Sequence, residues 1–134
     1  MLEGAAGVGE FIGGLPMPTQ EHTADLVMFV ISEDQTPIGL GGFVRSGALE
    51  GVDYELVCSI LPTARCRGFA SEACQAFLAW AWTARAWPRV LACVNRANEG
   101  GLALARQLGF TDVGPRLSDA NVLVLVRERP ANRD

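Results

Sequence analysis

The chain has 134 residues, a length that suits one domain with one hydrophobic core. Hydrophobic residues make up 49% and charged residues 19%, which is a globular composition and excludes a disordered chain. The net charge of -4 argues against nucleic acid as a partner, because no basic surface is available for nonspecific binding.

The first half of the chain is predicted to form a glycine-rich N-terminal segment followed by three strands. Residues 1–25 allow a short helix around 8–12, and we expect the core at 26–129 of a single domain that spans 1–134. Compact apolar runs of strand length follow, at 26–32, 37–45 and 54–61. Glycines in the second run indicate bulges or a close neighbouring backbone.

The second half is predicted to alternate helices and strands. Apolar residues recur at spacings of three and four from Phe69 to Arg85, which indicates a helix that ends at Trp87-Pro88. A strand, a helix and two further strands follow, at 89–94, 98–108, 110–114 and 121–129. The crossover helix implies a parallel pair of strands near it. The sequence thus predicts an α/β domain with an antiparallel front half.

Cysteine spacing and the lengths of apolar runs exclude further classes of protein. Cys58, Cys66, Cys74 and Cys93 form no C-x-x-C pair, and His22 is the single histidine, so we expect no metal site. We expect these cysteines to be free thiols in a cytoplasmic protein. No apolar run reaches the ~18 residues of a membrane span, so we expect no membrane partner.

The stretch "RCRGFAS" (65–71) opens the predicted 69–85 helix. A helix N-terminus has unpaired N–H groups and a partial positive charge, and a glycine there lets a ligand approach the backbone. Arg65 and Arg67 add charge that suits phosphate oxygens. The residues alone leave two interpretations open, an anion site and an ordinary strand-to-helix turn.

Two blocks of sequence, in this order, resemble the GNAT superfamily of N-acetyltransferases. In the block 54–82, Arg65, Gly68 and Ala70 match the acetyl-CoA loop pattern Arg/Gln-x-x-Gly-x-Gly/Ala. The block "RVLACVNRANEGGLALARQLGF" (89–110) resembles the family's strand, its asparagine (here Asn98) and the Leu-Gly-Phe ending of the next helix. The branch that acetylates ribosomal-protein N-termini and small amines looks closest.

The resemblance implies a GNAT-like fold with a mixed, mostly antiparallel sheet flanked by helices. It also implies direct transfer of acetyl from acetyl-CoA to an amine, either a peptide N-terminus or a small-molecule amine. The pyrophosphate would lie on the loop amides, and the pantetheine arm would pair with the end of the third predicted strand. The cofactor-binding residues are expected to be Ser59, Ile60, Leu61, Arg65, Cys66, Arg67, Gly68, Phe69, Ala70, Ser71 and Asn98.

Glu55 is the candidate catalytic base by this resemblance, because an amine must lose a proton before it attacks a thioester. In the alternative interpretation, Glu55 faces solvent or pairs with an arginine. Tyr54, the single tyrosine, is a candidate proton donor, but as the neighbour of Glu55 it is expected on the opposite face of the sheet. Asn98 is also a favoured residue for capping the helix that follows it.

Departures from the family pattern leave a second function open. Cys66 stands where glycine is common, and Gly101 stands where the family has a serine that can meet the leaving thiolate. The front of the chain is expected to lack part of the family's N-terminal strand and helices. A non-catalytic member that binds coenzyme A or a partner chain is therefore the alternative to an enzyme. The run "NVLVLV" (121–126), expected at an exposed edge, could support a homodimer.

Overall fold

The structure, a computed structural model, describes residues 2–4 and 26–131, and for Leu2–Gly4 it describes the backbone alone. Contacts between residues divide the chain into two compact units. The first unit contains Met1–Val44 and Val57–Phe77, and the second contains Arg45–Leu56 and Leu78–Asp134. Among the described residues, no helix is long and apolar enough to cross a membrane.

The first unit is a sheet with one helix. Its elements are β1 (Leu2–Gly4), β2 (Leu26–Glu33), β3 (Thr36–Ser46), β4 (Asp53–Ile60) and α1 (Phe69–Trp80), and the last three extend into the second unit. Neighbouring strands follow the order β1, β2, β3, β4, and β2 pairs antiparallel with both β1 and β3. A 3-10 turn joins β4 to the loop before α1.

Strand β2 is buried on both of its faces, which is why it reads as a continuous apolar run. Met28 and Val30 pack with Leu40 on one face. Phe29 lies on the other face and stacks on Phe77 of α1, with ring centroids 5.6 Å apart. The apolar side chains of one strand therefore serve two layers of packing.

Gly41 of β3 explains the glycines in the second predicted strand. A Cβ at this position would lie 2.6 Å from the Cε2 atom of Phe77 and 2.6 Å from the carbonyl oxygen of Val57. Only a residue without a side chain allows β4 and α1 to approach this closely. The close neighbour predicted from the sequence is confirmed here.

The second unit is a sheet with a second helix. It adds β5 (Arg89–Asn95), α2 (Glu99–Gln107), β6 (Thr111–Arg116) and β7 (Asp119–Glu128). Its strands follow the order β4, β5, β7, β6. The β4–β5 pair is parallel, with Glu55 opposite Leu91, and the other two pairs are antiparallel. The mixed, mostly antiparallel sheet and the parallel pair beside the crossover helix are thus confirmed.

The predicted strands and helices that fall on described residues lie close to their predicted bounds, with two differences. The predicted 69–85 helix is α-helical to Trp80 and closes with a π-helical turn at Ala81–Arg85. Strand β1 was not predicted, because three residues are too short for a periodic pattern. The short helix predicted around 8–12 lies outside the described residues.

The prediction that the last strand is an exposed edge is wrong. Strand β7 pairs with β5 on one side and with β6 on the other, so it is internal, and β6 is the outer strand of this unit. The apolar run marks a buried strand correctly, but which strands flank it depends on contacts distant in sequence. The homodimer stays a prediction without this edge to support it.

Asp53 at the start of β4 is buried and ion-paired. Its carboxylate accepts two hydrogen bonds from Arg89 of β5, at 2.8 and 2.9 Å. Asp53 is 6% exposed and Arg89 is 32% exposed. A buried carboxylate is tolerated only when it is paired and hydrogen-bonded, and the bidentate contact with Arg89 supplies both. The pair therefore ties the parallel strands β4 and β5 together.

Replacing Arg89 with methionine removes both donors and leaves the Asp53 carboxylate buried without a partner. We expect Arg89→Met to lower the free energy of unfolding by about 1–3 kcal/mol, measured by urea denaturation. Arg106→Met is the matched control, because Arg106 and its partner Asp112 are 53% and 40% exposed. That variant should unfold close to the wild type. Equal losses in the two variants would contradict the role of burial.

Candidate functional site

The loop before α1 presents backbone donors. The first intrahelical hydrogen bond runs from the amide of Glu72 to the carbonyl of Gly68, at 3.1 Å. The amides of Phe69, Ala70 and Ser71 precede this bond, and among the described residues they have no hydrogen-bond acceptor, as is usual for the first amides of a helix. Together with the helix dipole they form a site that suits an anion.

Two backbone conformations shape this loop. Cys66 has φ 62° and Gly68 has φ 83°, both in the left-handed region. Apart from its two chain neighbours, no described residue has an atom within 4 Å of a Cβ added to Gly68, so this part of the structure leaves the space in front of the glycine open. A glycine, as in the family that the sequence resembles, would adopt the positive φ of Cys66 without strain, since side chains disfavour this conformation.

Cys66→Gly should relieve the left-handed strain. We expect the free energy of unfolding to rise by up to about 1 kcal/mol in urea denaturation, because glycine adopts positive φ without a Cβ clash. Cys66→Ala keeps the Cβ and is the control, and its stability should stay near that of the wild type. A glycine variant less stable than the alanine variant would show that the loop does not hold this strain.

Both loop arginines have partners within the first unit. The Nε of Arg65 donates to the carbonyl of Ile60 at 3.0 Å, which folds the side chain back onto the end of β4. The Nη2 of Arg67 donates to Glu33 at 2.8 Å, and its guanidinium lies 4.9 Å from the centroid of the Phe69 ring. Because the Arg67–Glu33 pair is exposed, a bound anion could compete for this guanidinium at little cost.

The end of β4 has one edge committed to β3. The amide of Leu61 donates to the carbonyl of Ile38 at 2.7 Å. On the other edge, the strand pairing recorded between described residues is Glu55 opposite Leu91. Successive backbone groups of a strand point to opposite edges, so the amide of Ile60 points away from β3. Ser59, the residue before it, is exposed.

Two thiols meet beside this strand end. The thiol of Cys74 on α1 hydrogen-bonds to that of Cys58 on β4, and this lowers the pKa of Cys58 although burial opposes the change. The same hydrogen bond, with burial, raises the pKa of Cys74. The four cysteines are free thiols, as the sequence predicts.

Glu55 lies in a cluster of the second unit. Its side chain is 14% exposed, and its Oε2 lies 3.6 Å from the Nη1 of Arg116. Burial, and after it the charge of Glu55, raises the pKa of the neighbouring Cys93 to about 11. The alternative in which Glu55 pairs with an arginine is therefore what is observed, and its role as a base stays a prediction. Tyr54 stacks on Trp87 with ring centroids 4.1 Å apart.

Asn98 caps α2, as the sequence predicts. Its Oδ1 accepts a hydrogen bond from the amide of Gly101 at 2.9 Å. A Cβ at Gly101 would lie 2.6 Å from the Nδ2 of Asn98 and 3.0 Å from Val94. The family serine could be accommodated here only if the cap moved. Contact between Asn98 and a cofactor stays a prediction.

Each unit holds its own group of predicted residues. The loop residues and Ser59–Leu61 lie in the first unit, and Glu55 and Asn98 lie in the second. Sequence reasoning missed Arg116 and Cys93 as neighbours of Glu55. The signal in the sequence was the Gly114-Pro115 pair before Arg116, which is typical of a distorted strand. Within the described residues, no three His, Cys, Asp or Glu side chains are arranged to hold a metal ion.

Comparison with known proteins identifies one family model, described as an acetyltransferase (GNAT) domain, which matches residues 10–111. No curated protein matches the sequence. Many solved structures do. An acetyltransferase from Agrobacterium tumefaciens str. C58 is 26% identical with a TM-score of 0.66, and the match covers 76% of this chain and 60% of that one.

Two further structures show the same likeness. A GNAT-family acetyltransferase from Bordetella pertussis is 27% identical with a TM-score of 0.67, over 75% of this chain and 65% of that one. An acetyltransferase from Salmonella typhimurium, solved with its cofactor acetyl-CoA, is 15% identical with a TM-score of 0.66, over 80% of this chain and 66% of that one. This last likeness shows the fold alone. The chain spans less than two thirds of the first two structures.

Proposed function

The chain belongs to the GNAT acetyltransferase family, and on that premise we propose that it is an acetyl-CoA-dependent N-acetyltransferase that transfers acetyl directly to an amine. The observation that carries the proposal is the loop before α1. Within the part of the chain that the structure describes, Gly68 has open space in front of it, and the amides of Phe69, Ala70 and Ser71 that follow it have no acceptor. This is the backbone arrangement that accepts a phosphate group.

The cofactor is proposed to bind along the first unit. Its pyrophosphate accepts hydrogen bonds from the loop amides at 66–71, and Arg67 exchanges Glu33 for a phosphate oxygen. The pantetheine arm pairs with the edge of β4 that faces away from β3, in the manner of an added strand. The side chain of Arg65 donates a hydrogen bond to the carbonyl of Ile60 and thereby holds the loop in position.

The chemistry is proposed to be a direct displacement at the thioester. Glu55 takes a proton from the acceptor ammonium, directly or through water. The amine nitrogen then forms a bond to the acetyl carbon, and a backbone amide near 59–61 stabilises the oxyanion. The bond from carbon to sulfur breaks, and the coenzyme A thiolate leaves. Water is its proton source, because Gly101 offers no hydroxyl.

Gly68→Glu should abolish acetyl-CoA binding in a calorimetric titration, because the new carboxylate would occupy the open space and repel phosphate. Gly51→Glu is the matched control. Gly51 also has a positive φ, of 100°, and a Cβ there would likewise meet no atom of the other described residues within 4 Å. The control carries the same charge and the same backbone strain, and it should keep its affinity. Unchanged affinity in Gly68→Glu would remove the loop from the cofactor site.

Glu55→Gln should keep acetyl-CoA affinity and lower kcat about 100-fold or more, because the amide cannot accept the proton of the acceptor. The measurement is the release of coenzyme A thiol under saturating acetyl-CoA. Glu50→Gln, which changes an exposed acid, is the control and should turn over normally. Normal turnover in Glu55→Gln would leave this residue as a structural partner of Arg116.

A second candidate function is a non-catalytic member of the family that binds coenzyme A or a partner chain. This candidate is favoured by Gly101, because the family serine that can meet the leaving thiolate is absent there. A serine at this position would also displace the Asn98 cap. Acetyl-CoA binding without transfer to any amine would support it over the enzyme.

The cellular setting is also part of the proposal. Four free thiols suit a reducing compartment, so we place the protein in the cytoplasm. Its partners would be acetyl-CoA and an amine acceptor, with a homodimer as the proposed assembly if it associates.

A further inference from the structure

Glu33 pairs with one of the two arginines of the candidate cofactor loop. Its Oε2 accepts a hydrogen bond from the Nη2 of Arg67 at 2.8 Å. Arg67 directly precedes Gly68, the glycine with open space in front of it in the described part of the chain. The other loop arginine, Arg65, donates to a backbone carbonyl, which carries no net charge. Glu33 therefore balances the charge of Arg67 in particular.

The backbone holds Glu33 in a fixed place at the end of the β2–β3 hairpin. Glu33 is the last residue of β2 and pairs with Thr36, the first residue of β3. Asp34 and Gln35 form the two-residue turn between them, and their φ angles of 48° and 69° are typical of a type I′ turn. A turn this short fixes the register of the two strands, and with it the position of the Glu33 carboxylate.

Arg67 is the partner that can change its contacts. Its side chain is 51% exposed, and its guanidinium lies 4.9 Å from the centroid of the Phe69 ring. Phe69 is the first residue of α1, and its amide is one of the proposed pyrophosphate donors. The guanidinium can thus turn from the carboxylate to a ligand on these amides without leaving the start of the helix. An exposed ion pair costs little to break.

A pyrophosphate on the loop amides would compete with Glu33 for Arg67. Carboxylate and phosphate oxygens both suit the guanidinium fork, so one anion replaces the other. Once Arg67 turns to the phosphate, the Glu33 carboxylate remains nearby without its partner, and like charges repel. Both effects oppose the binding of the cofactor and favour its departure.

From this geometry we propose that Glu33 is a positioning residue that lowers the affinity of the loop for the cofactor and speeds the release of coenzyme A. The inference rests on the proposed function and assigns a role in product release to Glu33. This residue acts through Arg67, whose guanidinium it binds again when coenzyme A departs. Acetyl-CoA and coenzyme A carry the same phosphates, so Glu33 affects both in the same way.

The test is to remove the charge of Glu33 and measure cofactor binding. Glu33→Gln should lower the Kd for acetyl-CoA about 2- to 5-fold in a calorimetric titration, the range expected for an exposed ion pair. Most of this change should lie in the dissociation rate of coenzyme A, measured by surface plasmon resonance on the immobilised protein. Tighter binding is a result that damage to the fold would not give.

Asp34→Asn is the matched control, because it removes the same charge from the adjacent, exposed residue. Asparagine tolerates the positive φ of this position, as aspartate does. The Kd of this variant should stay within about 1.5-fold of the wild type. If both variants tighten binding equally, a general charge effect explains the gain and the inference is overturned. Unchanged or weaker binding in Glu33→Gln would also overturn it, while the cofactor site stands.

A second comparison tests whether Glu33 acts through Arg67. In an Arg67→Met background, Glu33→Gln should change the Kd no more than Asp34→Asn does, because its partner is gone. The full 2- to 5-fold gain in that background would contradict the inference. If the Arg67→Met variants bind too weakly to measure, the comparison of Glu33→Gln with Asp34→Asn decides. A wild type that binds no acetyl-CoA would reject the proposed function, and the inference with it.

Discussion

The positive φ angles at Cys66 and Gly68 are the constraint on which the candidate cofactor site depends. They turn the chain sharply from β4 into α1, so that the first amides of the helix follow an open glycine. The backbone amides are the main hydrogen-bond donors that the loop offers to an anion, because the side chains of both loop arginines already have partners in the protein. The backbone therefore makes the site, and the side chains adjust its charge.

Close packing at a glycine of β3 fixes the position of the helix that follows this loop. Gly41 lets the Phe77 ring of α1 and the backbone of β4 approach the same point. The stack of Phe29 on Phe77 holds the helix on the sheet by burial of aromatic surface. The helix α1 is thus anchored at Phe77, about two turns after its first amides, so those amides are not needed to hold the helix on the sheet.

The apolar patterns predict most of the fold, because periods of two and of three to four follow directly from strand and helix geometry. The loop and the Asn98 cap are also local, and both could be predicted. The flanks of β7 and the meeting of Arg116 with Glu55 could not. Both features depend on which segments distant in sequence become neighbours. The position of Arg116 also depends on bulges in β6, which a periodic sequence pattern does not predict.

The most direct measurement is a titration of the protein with acetyl-CoA, followed by the NMR shifts of its backbone amides. We predict saturable shifts with the largest changes at residues 66–71, because these amides would donate to the pyrophosphate. A folded protein whose loop-amide signals do not shift, or whose shifts cluster away from the start of α1, would contradict the cofactor site and leave the loop as an ordinary strand-to-helix turn.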